Sequence, residues 1–119
     1  MAAGALHAFV ATHEFTLAWT HSIEKVRWEE DYRIVSDHIE IVEARIRGSG
    51  AGMEPPPDAV LRNGVWHYQP HVHGLPALLL ARSTYTSDYE LCVEGTCRPL
   101  SHWVPVAAGA TQLTPCTRR

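Results

Sequence analysis

The sequence predicts an all-β fold: a single-domain antiparallel β-sandwich or partly open barrel of about seven short strands. Three observations carry that expectation. Apolar and polar residues alternate with a period of two over His13–Ile23, Val26–Val35 and His38–Arg47. Turn-forming pairs recur between these runs, as at Ser36-Asp37, Asn63-Gly64 and Glu94-Gly95. No eleven-residue window shows a helical period.

The elements follow in order. In HEFTLAWTHSI, Phe15, Leu17, Trp19, His21 and Ile23 share one face, and Thr16, Ala18, Thr20 and Ser22 the other. In VRWEEDYRIV, Val26, Trp28, Glu30, Tyr32 and Ile34 share the inward face. Arg27, Glu29, Asp31 and Arg33 alternate with them and are expected to be solvated. With Ser36-Asp37 as a two-residue turn, HIEIVEARIR returns as the partner strand. That register sets Ile34 against Ile39, Arg33 against Glu40, Tyr32 against Ile41, Glu30 against Glu43 and Trp28 against Arg45, with Val26 beside Arg47.

The segment GSGAGMEPPPD at Gly48–Asp58 forbids a regular element, through its glycines and its proline run. Ala59–Leu61 and Val65–Gln69 flank the Asn63-Gly64 turn as short strands. His71–Pro76 reads as a loop, and LPALLLARS at Leu75–Ser83 as an apolar strand buried on both faces or nearly so. Asp88–Val93 and Arg98–Val104 form the arms of a hairpin, and the tail from Pro105 shows little pattern. The chain divides into an N-terminal segment at 1–12 (a strand or the remnant of an export leader), a β domain at 13–116 and a tail at 117–119.

Composition bounds the function. The chain has 119 residues, enough for one domain. Ten Lys+Arg against thirteen Asp+Glu give a formal net charge of -3, which carries no footprint for nucleic acid or anionic membrane. No apolar run reaches the length of a transmembrane helix. Cys92 and Cys97 bracket CVEGTC at the bases of a short hairpin, so a disulfide between them is expected, with Cys116 free or exchanged into the pairing. Zinc ligation and reduced thiols in a cytoplasmic protein are the competing readings of the cysteines.

The stretches LAWTHSIEKVRWEEDYRI, RIRGSGAGMEPP and SDYELCVEGTCRPL resemble the DUF1850 family, a domain of unknown function. The resemblance rests on the His-Ser-Ile-Glu motif at His21–Glu24, the acidic pair Glu29-Glu30 and the GSGAG-M segment, and covers roughly residues 13 to 116. Members are commonly encoded beside TAXI-type TRAP transporters, which use extracytoplasmic solute-binding proteins. The resemblance therefore implies a periplasmic or otherwise extracytoplasmic accessory role, with the solute-binding protein or the TRAP membrane subunit as partner. Many members begin with a longer hydrophobic leader than this chain has.

The polar residues gather around the glycine-rich corner. Arg45 and Arg47 lead into it and are placed on the face of Glu30 and Glu43. Gly48, Ser49, Gly50, Gly52 and Glu54 supply its backbone and a carboxylate, with His21 and Glu24 nearby. Arginines beside free backbone N–H groups suit a small carboxylate ligand or an acidic group of a partner. The competing reading is structural, with Glu30 and Glu43 neutralised by Arg45 and Arg47.

His67, His71 and His73 are weak candidates for a metal site, completed by Glu or by Cys116. Catalysis has little support. His21 and Ser22 point apart on a strand, no G-x-S-x-G elbow exists, and only a Glu30–Glu43 pair offers acid/base chemistry. Trp66, Tyr68 and Trp103 could form a binding platform, but core packing accounts for them better. The expected function is non-enzymatic docking without a cofactor, with a small-carboxylate or metal-binding module as the alternative and a weak hydrolase behind it.

Overall fold

The computed structural model describes residues 7–20, 26–47, 57–70, 74–106 and 110–116. They form β1 (Glu14–Thr20), β2 (Arg27–Val35), β3 (His38–Arg47), β4 (Val60–Arg62), β5 (Val65–Tyr68), β6 (Leu78–Leu80), β7 (Glu90–Val93), β8 (Thr96–Pro99) and β9 (Thr111–Leu113). Seven strands make one antiparallel sheet in the order β4-β5-β3-β2-β1-β7-β8, and β6 pairs with β9 as a second layer. The sheet ends in two edges, β4 and β8, and does not close into a barrel. The expected all-β, antiparallel architecture is therefore present.

The turns form where expected. Ser36 takes a φ of 58° between β2 and β3. Asn63 and Gly64, at 50° and 77°, and Glu94 and Gly95, at 53° and 82°, both have the paired positive φ of a type I′ turn. The β7–β8 turn brings Cys92 opposite Cys97, and the two are joined by a disulfide. Cys116 is free and exposed.

The core lies between the large sheet and the β6–β9 pair. Phe15, Leu17, Tyr32, Ile39, Leu80, Leu91 and Leu100 pack together there. Leu17 and Ile39 are each 1% exposed, and burying one such side chain contributes about 2 kcal/mol. Farther along the same face, Ala44 and Ile46 are also buried.

Several expectations are corrected. The β2–β3 register holds from Val35–His38 to Tyr32–Ile41 and then shifts. Val42 is an extra residue, so Asp31 faces Glu43, Glu30 faces Ala44, Glu29 faces Arg45, Trp28 faces Ile46 and Arg27 faces Arg47. Glu30 therefore does not oppose Glu43, and Trp28 does not oppose Arg45. Glu29 and Asp31 are not solvated: Glu29 is 8% exposed and Asp31 half-buried. The Leu75–Ser83 run is not buried on both faces. Only Leu78–Leu80 is strand, and Leu79 is 75% exposed while Leu80 enters the core, because β6 covers the sheet with one side only.

The second hairpin arm also differs. It is β-structured only to Pro99, after which Leu100–His102 turns as a 3-10 helix and carries Leu100 into the core. The tail that shows little pattern in sequence contains β9, which pairs with β6.

Candidate functional site

The bulge at Val42 decides which charges meet. Beyond it, Glu43, Arg45 and Arg47 fall on the face of Arg27, Glu29 and Asp31, opposite the core. These side chains build a lattice across the outer face of the sheet. Arg45 sits at its centre and is largely covered. Its Nε donates to Glu29 at 2.9 Å, and its two Nη atoms donate to the two oxygens of Asp31 at 2.6 and 2.7 Å. Thr16 on β1 donates to the same Asp31 carboxylate at 2.7 Å.

Glu29 is shared by three arginines: Arg27 at 2.9 Å, Arg45 at 2.9 Å and Arg47 at 3.1 Å. Arg27 also reaches Glu90 on β7 at 2.8 Å. On the other flank, the His67 ring on β5 hydrogen-bonds to Glu43 through Nδ1. Arg62 on β4 approaches Glu43 at 3.9 Å.

The electrostatics follow from this sharing. Burial opposes ionisation of Glu29, but hydrogen bonds from Arg27, Arg45 and Arg47 outweigh it and hold its carboxyl down at about 2. Burial likewise opposes ionisation of Asp31, and Arg45 and Thr16 win there too. Arg45 is held charged by its hydrogen bonds to Asp31 and Glu29 against the opposing effect of burial.

The lattice contains most of the described candidates, but with different pairings. Arg45, Arg47 and Glu43 lie together, with Glu29 and Asp31 in the place expected of Glu30. Glu30 points to the opposite, aromatic face and accepts a hydrogen bond from the Tyr32 hydroxyl. A Glu30–Glu43 acid/base pair and a Glu30–arginine network are both corrected by the bulge.

His21, Glu24, Gly48, Ser49, Gly50, Gly52, Glu54, His71 and His73 lie outside the described residues. Among the described residues no group of three His, Cys, Asp or Glu side chains is placed to hold a metal ion. Of the aromatic candidates, Trp103 packs against the core, and Trp66 and Tyr68 are half-buried on β5.

Two features escaped the sequence reading. The first is Arg82, whose side chain is fully buried. It donates to both oxygens of Asp88 at 3.0 Å and to Thr111 at 2.9 Å. Asp88 also accepts the backbone N–H groups of Tyr89 and Ser101. The cluster ties the segment before β7 to the 3-10 helix and to β9, and an arginine at the end of an apolar run was its only sequence signal. The second is a cavity of about 960 Å³ between residues 7–13 and the C-terminal strand, walled by Phe15, Ile34, Leu91 and Leu113. No Asp, Glu, Lys or Arg lines it among the described residues. Residues 7–12 form no strand, so nothing in their patterning announced it.

Fold and site define a small antiparallel sheet protein with one packed face and one ionically cross-linked face. The chain belongs to the DUF1850 family, a domain of unknown function, whose family model matches residues 15–100. Searches of curated proteins and of solved structures found no match. No helix among the described residues is long and apolar enough to cross a membrane.

Proposed function

We propose that the protein is a non-enzymatic, extracytoplasmic accessory that docks with a TAXI-type TRAP solute transport system, through either its solute-binding protein or its membrane subunit. Arg47 is the observation that carries this reading. It is the last residue of β3, where the chain enters GSGAGMEPP, and its side chain is 49% exposed. Among the described residues its Nε meets Glu29 and its Nη atoms have no partner, whereas all three nitrogens of Arg45 beside it donate to carboxylates. An acidic group on a partner would complete the free edge of the Arg47 fork. The remaining charges of the lattice satisfy one another and leave a broad outer face suited to a macromolecular contact. The Cys92–Cys97 bridge is compatible with an oxidising compartment.

The test is capture of the tagged protein, co-expressed with the transporter subunits, in mild detergent. Co-elution is expected, with loss in Arg47→Ala and Glu54→Ala. Unchanged co-elution in both variants would remove the corner as the contact, and no co-elution from the wild type would end the docking reading. Thiol titration of the denatured, unreduced protein should find a single free thiol, that of Cys116.

A further inference from the structure

Glu30 is the one carboxylate of β2 on the packed face of the sheet, and it is half-buried there. The Tyr32 hydroxyl donates to it. Among the described residues no arginine, lysine or histidine pairs with it, whereas Glu29, Asp31, Glu43 and Glu90 each meet an arginine on the opposite face. A half-buried carboxylate without a cation is costly unless something compensates it.

Its surroundings are aromatic. Trp28 and Tyr32, two residues to either side, share its face. Trp28 stacks on Trp19 of β1 at 6.2 Å, and Trp19 meets Tyr89 at 5.9 Å. Across β3, the residue opposite Glu30 is Ala44, which is itself opposite Tyr68 on β5. Ala44 places only a methyl group between Glu30 and Tyr68 in that row. Desolvation raises the Tyr68 and Tyr89 phenols, and the negative charge of Glu30 raises both further, so both rings lie within its field. Trp28 Nε1 is buried without an acceptor among the described residues, so the ring is held by packing alone. Trp19, Trp28, Tyr68 and Tyr89 are each only half-buried.

Ring faces around a carboxylate are the chemistry that recognises ammonium ions: the π faces and the carboxylate are both negative, and partial desolvation strengthens the attraction. We propose that this face binds a small organic ammonium ion, its cationic nitrogen against Glu30 and its alkyl groups against Trp19, Trp28, Tyr68 and Tyr89. The site is distinct from the outer-face docking contact, because it lies on the other side of the sheet from Arg47.

Choline serves as the probe, read by intrinsic tryptophan fluorescence at constant ionic strength. Its uncharged isostere 3,3-dimethyl-1-butanol is the control for apolar contact. Choline is expected to give a saturable change that the neutral isostere does not reproduce. Glu30→Gln keeps an acceptor for Tyr32 and should bind choline about tenfold more weakly, in line with loss of one charge contact. Tyr68→Leu should weaken binding by several-fold, and it tests the site should Glu30→Gln fail to fold. Arg47→Ala should leave the titration unchanged, which separates this site from the docking reading. No saturable response to choline, an equal response to the isostere, or unaltered binding in a folded Glu30→Gln or Tyr68→Leu protein would overturn the proposal.

Discussion

Glu29 and Glu30 are neighbours in sequence and opposites in surroundings. Alternation along β2 sends Glu29 to the outer face, where Arg27, Arg45 and Arg47 converge on it. It sends Glu30 to the inner face, where a tyrosine hydroxyl and aromatic rings surround it. The outer face tolerates a nearly buried carboxylate by sharing it among guanidinium groups, so its stability is electrostatic and depends on each partner staying charged. Among the described residues the inner face offers its carboxylate no cation, and its stability comes from packing of the surrounding rings. Loss of charge is therefore expected to be severe on one side of the sheet and mild on the other.

The largest expected effect comes from the centre of the outer face. Arg45→Ala leaves Asp31 without its main donor and Glu29 without one of its three arginines while both remain largely covered. A loss of about 3 kcal/mol is expected, read as a lower urea midpoint at unchanged slope. A loss below about 1 kcal/mol would place the lattice among ordinary surface pairs and erase the contrast between the faces.

Acid should reach the outer face next. Glu29 has a folded-state carboxyl lowered from 4.5 to about 2. Its contribution is complete above the unfolded value and is lost as pH falls through the folded one, because the unfolded chain takes up the proton first. Thermal stability should therefore decline between about pH 4.5 and pH 2, by about 3 kcal/mol if Glu29 acts alone. Asp31 adds a loss of the same sign. Glu29→Gln should start lower at neutral pH and show a flatter acid limb. An acid limb as steep as the wild type's would assign the loss to other carboxylates.

Much of this arrangement was legible. Alternation in VRWEEDYRIV put Glu29 and Glu30 on opposite faces, and the dipeptides at residues 36, 63 and 94 located the turns. The bulge was missed although β3 carries its mark. Ile39 and Ile41 are odd-numbered inward residues, and Ala44 and Ile46 are even-numbered ones, so the apolar phase changes between them. A strict period of two cannot serve both pairs, and one extra residue at Val42 reconciles them. β9 escaped because three residues carry no readable period, and its place is set by pairing with β6 far away in the chain. The Arg82–Asp88 pair escaped because burial of an arginine is decided by tertiary contacts.

The bulge yields a gentler test. Deleting Val42 would restore regular pairing with Ile41 still opposite Tyr32 and Glu43 still opposite Asp31. Both faces would keep their residues. The deletion removes one side-chain bond, from Gln69 Nε2 to the Val42 carbonyl at 3.2 Å, together with the local twist. A folded protein less stable by about 1 kcal/mol is expected, with its tryptophan emission and acid limb retained. Deletion within an ordinary strand inverts every later side chain, so an unfolded product would mean that Val42 is not the surplus residue.

Glu30→Gln is expected to have the smallest effect on stability. The amide oxygen still accepts from Tyr32, the side-chain volume is nearly unchanged, and no cation among the described residues is left behind without its partner. A half-buried carboxylate that lacks a counter-ion adds little net stability, and neutralising it relieves part of its desolvation. The change should lie within about 1 kcal/mol of zero in either direction, against the larger loss for Arg45→Ala. Equilibrium unfolding of the two variants side by side at neutral pH measures the contrast. If Glu30→Gln proves as damaging as Arg45→Ala, the inner carboxylate is a structural anchor, and retention of a charge there could no longer be attributed to ligand binding.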